Sequence, residues 1–165
     1  MEYNIDAEKQ IENTVCNLFN KHILHRRKFK LIENDKSVFD FAGRDEFNKP
    51  ILVEVKSRTK LFKYPFIEIA KAMNMFKEGK KNHNGDTEYY YVLSTDGIHR
   101  VYNIKDLWIL GKHTKGKFNK NTTESRTNKK DKEIISFHYE SYAFIINDDG
   151  VIIGDKYQKT EQYEN

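Results

Sequence analysis

The sequence predicts an α/β domain with a mixed central sheet flanked by helices, in the order α-β-β-β-α-β, followed by extra antiparallel strands towards its end. Three observations carry that expectation. An apolar stripe at helical spacing opens the chain, three short β-like runs follow it, and a tyrosine-rich run further on is joined to a partner by an Asp-Gly pair.

Ile11, Val15, Leu18, Phe19 and His22 recur at helical spacing, and Asp6 suits the N-cap, so the first helix is expected from Asp6 to about Arg26. The β-like runs are Phe29 to Ile32, Ser37 to Ala42 and Ile51 to Ser57, separated by Asn34-Asp35-Lys36 and by Gly43 to Pro50. Pro65 suits the first turn of a second helix, which Gly79 would end after Lys77 or Glu78. Glu88 to Ser94 and Ile98 to Asn103 flank Asp96-Gly97 and read as a hairpin, and Lys105 to Leu110 as a short helix carrying Trp108. Segment 111–132 reads as a mobile basic loop, and Glu133 to Tyr139, Tyr142 to Asn147 and Gly150 to Gly154 as terminal antiparallel strands turning at Asp149-Gly150.

With 165 residues, 38% of them hydrophobic and 33% charged, the chain suits one domain, with a core over about 5–103, the basic loop and C-terminal strands over 133–154. No apolar run is long enough for a membrane span, and the acidic first residues lack a signal-peptide core, so a soluble cytoplasmic protein is expected. The lone Cys16 has no partner for a disulfide or a zinc site and reads as a buried helix residue. The net charge of +4 is unevenly spread. Eight Lys or Arg against two acids give segment 111–132 a balance of +6, leaving the remainder at −2.

In Ile51 to Ser57 the side chains alternate, so Leu52, Glu54 and Lys56 share one face while Ile51, Val53 and Val55 take the other. Asp40, between Phe39 and Phe41, is an acid in a run that otherwise looks buried, and a buried carboxylate wants a cation or a metal. Mg²⁺ and Mn²⁺ prefer oxygen ligands, which Asp40, Glu54 and the Val55 carbonyl would supply, with Lys56 beside them to act on water.

Asp40, a loop and then Glu54-Val55-Lys56 after a first helix resembles the PD-(D/E)XK nuclease superfamily, which includes restriction enzymes and archaeal Holliday junction resolvases. Phe39 stands where the family name has proline. Glu54 to Thr59, followed by Tyr64-Pro65 and the run to Lys71, is similar to small phage- and virus-encoded members. The resemblance covers about Asp6 to Asn103 and implies a restriction-endonuclease-like core, phosphodiester hydrolysis, and Lys71 as an active-site cation. It also implies an acid from the first helix. Glu12 lies beside the core-facing stripe and suits that role, with Glu8 one turn earlier as its competitor.

The expected partner is nucleic acid, DNA before RNA, with a homodimer left open. Its contacts are expected at Arg58, Lys60, Lys112, Lys115, Lys117, Lys120, Lys129 and Lys130. His22, His25 and His138 read as structural, and Tyr90 as core. A rival reading is a non-catalytic nucleic-acid-binding module, whose signature would be a missing acid or lysine; all three are present. A protein-interaction domain would use the terminal strands as a pairing edge but leaves Asp40 unexplained.

Overall fold

The computed structural model describes residues 5–23, 30–31, 38–45, 47–83, 86–119 and 129–155. Helix α1 (Ile5–Leu18) widens into a π-helical turn, Phe19–Ile23, and strands β1 (Lys30–Leu31), β2 (Phe41–Arg44) and β3 (Pro50–Ser57) follow. Next come β4 (Phe66–Glu68), α2 (Ile69–His83), β5 (Glu88–Thr95), β6 (Ile98–Asn103) and α3 (Ile104–Leu110). The chain continues as β7 (Lys112–Asn119), β8 (Lys129–Ser136), β9 (Phe144–Asn147) and β10 (Ile152–Asp155). No helix among the described residues is long and apolar enough to cross a membrane.

The expected α/β class and mixed sheet are present. Among the described residues, seven strands form the large sheet in the order β1-β2-β3-β5-β6-β9-β10. Its β3 and β5 run parallel, while its other neighbours pair antiparallel. Helix α2 lies in the crossover that this parallel pair requires. The alternation of β3 divides the core. Ile51, Val53 and Val55 pack with Val15, Cys16 and Phe19 from the first helical segment. Leu52, on the opposite face, joins Ala72 and Met75 of α2, Leu107 of α3 and Ile135 of β8. All three tyrosines of β5 join the core: Tyr89 and Tyr91 pack with α2, and Tyr90 with the Phe19 side.

Both hairpin turns stand where the sequence places them. Asp96 and Gly97 have φ of 52° and 76°, the paired left-handed conformation of a two-residue hairpin. At the second turn Gly150 has φ of 81°, and the Asn147 side-chain oxygen accepts from the N–H groups of Asp149 and Val151.

Several boundaries differ from the sequence reading. The first helix, expected through Arg26, is α-helical only to Leu18; residues 24–26 lie outside the described residues. Asp40 is not inside a strand, because β2 starts at Phe41 and Asp40 occupies the preceding bend; Ser37 lies outside the described residues. Pro65 does not open a helix. Phe66, Ile67 and Glu68 pair with Ser136, Ile135 and Ile134, and α2 starts only afterwards.

Segment 111–132 is not a loop throughout: Lys112–Asn119 and Lys129–Ser136 pair antiparallel, and residues 120–128 lie outside the described residues. Backbone pairing builds this ladder with few apolar side chains, and Ile134 and Ile135 anchor it to β4. β8 therefore leaves the expected terminal unit and, among the described residues, forms a three-stranded sheet, β4-β8-β7.

Helix α2 also runs past Gly79 to His83, so this glycine is no stop signal. A Cβ at Gly79 would run into the Tyr89 ring, which is buried and packed edge-on to Phe76 at 4.9 Å. Glycine is there to let α2 approach β5. Gly79→Ala is expected to destabilise the fold by about 1–3 kcal/mol despite alanine's better helix propensity. Urea denaturation checks this, and a stabilised variant would mean that the ring moves aside without cost.

Candidate active site

Four elements bring the candidate residues together. Asp40, in the bend before β2, gives its N–H to Val53 O at 2.9 Å. Its Oδ2 accepts the N–H of Val55 at 2.7 Å, taking the place of a backbone carbonyl there. That bond fixes the Asp40 carboxylate against the strand carrying Glu54. Glu54 is only 5% exposed, and its Oε1 lies 3.1 Å from Lys71 Nζ, the third residue of α2. Lys56 is half-buried on the same face of β3. On α1, Glu12 hydrogen-bonds Asp40, while its competitor Glu8 acts on Glu12 as a neighbouring negative charge.

The electrostatics follow from this crowding. Burial, and next the Asp40 charge, push the Glu54 carboxyl up to about 8, against the opposing pull of Lys71 and Lys56. Burial, then Asp40 through charge and hydrogen bond, push Glu12 up to about 7. Glu12 and Glu54 thus compete with the same carboxylate, Asp40. The nearby ammonium groups do not offset the accumulated charge, so the cluster favours either protons or another cation.

The chain is similar to a solved archaeal resolvase. That structure, at 1.6 Å resolution, is Hjc from Archaeoglobus fulgidus, a Holliday junction resolvase from a hyperthermophile. The TM-score is 0.42 and the identity 12%, with 70% of this chain and 80% of that chain covered. No protein-family model matches the sequence, and no curated protein matches it.

Among the described residues no three His, Cys, Asp or Glu side chains form a ready-made metal cage. The donors present would suit a different mode, in which two carboxylates, Asp40 and Glu54, and the carbonyl of Val55 would leave the remaining positions to water, as Mg²⁺ prefers.

The other expected contacts divide. Arg58 and Lys60 are exposed just beyond β3, and Arg58 N–H bonds Ser94 O at 2.9 Å. Lys112 and Lys115 are exposed on β7, the edge of the small sheet. Lys117, Lys129 and Lys130 belong to the β7 and β8 ladder, and Lys120 lies outside the described residues. Lys132, also on β8, binds Glu68 at 2.8 Å.

Tyr91 was not anticipated beside the site. It stands opposite Glu54 in the parallel register, is buried, and places its hydroxyl 3.4 Å from Phe66 O. Burial raises its hydroxyl pKa, with the Glu54 charge adding to that effect. Only the β3–β5 register could have revealed Tyr91, and a crossover register is not legible in one sequence.

Proposed function

We propose that this protein is a Mg²⁺- or Mn²⁺-dependent endonuclease that hydrolyses phosphodiester bonds, with DNA as its preferred substrate. The observation that carries the reading is Asp40 locked onto the Val55 N–H beside buried Glu54, with Lys71 against that acid and Lys56 on the same strand face.

Asp40, Glu54 and the Val55 carbonyl would hold the cation. When bound, the metal supplies a Lewis acid for the phosphate and makes water a stronger nucleophile. Lys56 Nζ orients the attacking water and takes part in moving its proton, while its positive charge offsets charge developing on phosphorus-bound oxygen. Lys71 Nζ holds Glu54 Oε1 in place. Glu12, with a carboxyl near neutrality, keeps Asp40 hydrogen-bonded and provides a second group able to carry a proton.

The test is incubation with plasmid, a four-way junction and single-stranded RNA, each with Mg²⁺, Mn²⁺ or EDTA. Cleavage of a DNA substrate with either metal and none in EDTA is expected. Failure to cut any substrate with either metal would overturn the reading.

The basic hairpin supplies a further expected result. Its exposed Lys112 and Lys115 stand on an edge strand that also carries Lys117 in its ladder, and a phosphate backbone would run along that edge. Changing Lys112, Lys115, Lys117 and Lys120 together to Gln should weaken duplex binding similarly across sequences. Each lost phosphate contact should lower the slope of log K against log salt by about 0.9. Stability should move little, since Lys115 reaches its register partner Glu133 only at 4.0 Å and both are exposed. A salt titration in Ca²⁺ measures the slope, and unchanged slopes would make the hairpin a solvated ribbon.

A further inference from the structure

A cleft of about 590 Å³ lies between the connection that follows β3 and strand β8. Its wall includes Leu93 and Ile134, both buried, while Phe62 and Tyr64 are 56% and 59% exposed. Leu93 is the parallel partner of Lys56, so the cleft begins one strand away from the candidate site, on the same sheet face. Glu54 and Arg58 are four residues apart, about 13 Å along an extended chain.

Two large exposed aromatics bordering an apolar cleft need a reason. Charge supplies the direction. Arg58, Lys60 and Lys63 line the cleft, and no acid occurs between Glu54 and Glu68. Thr95 also lines it. An occupant should therefore be anionic and carry a flat apolar group.

The connection is already braced to receive it. Arg58 N–H bonds Ser94 O, Tyr139 N–H bonds Lys63 O, and Phe137 N–H bonds Pro65 O, at 2.9, 3.0 and 3.0 Å. Tyr64 further packs edge-on to His138 at 5.6 Å, so little ordering is required at binding.

We propose that this cleft takes one unpaired nucleobase of the nucleic-acid substrate, stacked on Phe62 and Tyr64, with Arg58, Lys60 and Lys63 on the flanking phosphates. This rests on the nuclease reading and deepens it: the preferred substrate carries an unstacked base near the bond that is cut. Stacking is sequence-tolerant, so the cleft selects for unpaired structure before sequence.

The experiment compares, in EDTA, binding of a fluorescent thymidine oligomer of about 12 nucleotides and an abasic oligomer of equal length and charge. Wild type should prefer the thymidine oligomer by about 10–100-fold. Phe62→Ala with Tyr64→Ala should erase the preference while leaving the abasic affinity within about twofold, because the phosphate contacts remain. Phe62→Trp should retain it and Phe62→Leu reduce it, separating stacking from mere apolarity. Each variant's melting temperature is compared with wild type to confirm folding. Equal binding of the two oligomers by a wild-type protein that still cuts plasmid would overturn this proposal alone, leaving an apolar partner segment as the cleft's occupant. A preference that survives the double substitution would also overturn it. A wild type that binds neither oligomer and cuts nothing would overturn the nuclease reading as well.

Discussion

Lys56→Ala is expected to lower kcat/KM for phosphodiester cleavage by about 10²–10⁴-fold, the usual range for a group that moves or steers a proton in the transition state. Its affinity for Mn²⁺ and for DNA in Ca²⁺ should stay within about twofold, since the proposed task is confined to the transition state. Lys56 is half-buried on the Glu54 face, so removing it also deprives Glu54 of one favourable charge. The Lys71 ammonium remains at 3.1 Å and keeps that loss from dismantling the acid cluster. Lys56→Arg should be nearly as inactive, because a guanidinium is bulkier, forked and charged at all working pH values. Single-turnover cleavage beside metal and DNA binding checks the pattern. Wild-type turnover in Lys56→Ala would remove Lys56 from the chemistry while leaving the fold intact.

The parts of this site legible in the sequence are those set by local period. Alternation alone puts Glu54 and Lys56 on one face of β3 and the valines on the other, and the structure divides its two core layers along that line. The helical stripe likewise places Val15 and Phe19 in the core and Glu12 at its border. Legibility ends where pairing depends on distant chain. Asp40 reads as a strand residue because Phe39 and Phe41 flank it, yet its carboxylate replaces a backbone acceptor at Val55, and the strand begins only afterwards.

Proline and glycine carried more than one meaning. Pro65 fits a helix start or the lead into an edge strand, and pairing of Phe66–Glu68 with β8 decides for the second. Gly79 fits a helix stop, but the Tyr89 ring requires a glycine inside the helix. The β7–β8 ladder escaped for a different reason: its lysine-rich strands lack apolar alternation, and their order comes from backbone rungs and the apolar anchor at Ile134 and Ile135. The Glu54–Lys71 contact joins β3 to α2, and no period in either segment specifies it.

Mn²⁺ should raise the stability of the protein, and the gain should depend on both Asp40 and Glu54. A ligand bound only by the native state at about 100 times its dissociation constant adds about 2.7 kcal/mol, or roughly 5–10 °C in Tm for a chain of this size. Asp40→Asn or Glu54→Gln should abolish that gain. In EDTA the trend with pH is informative. Glu54 and Glu12 hold their protons more tightly when folded, up to about 8 and about 7 against an ordinary 4.5. Between pH 4.5 and 8 the folded state therefore binds more protons than the unfolded chain, and stability falls as pH rises.

Glu54→Gln removes the largest part of that fall, so at pH 8 the metal-free variant should match or exceed wild type, even though Lys71 loses its partner. That ammonium is partly exposed and can turn to water. Adding Mn²⁺ should reverse the wild-type trend, because deprotonated carboxylates bind the cation better and stability then grows with pH. Thermal melts from pH 5 to 8, with and without Mn²⁺, for wild type, Asp40→Asn and Glu54→Gln test all of this together. Equal Mn²⁺ stabilisation in the three proteins would move the metal away from Asp40 and Glu54. A metal-free stability independent of pH in wild type would mean that the crowding of Glu12, Asp40 and Glu54 is relieved by water in solution.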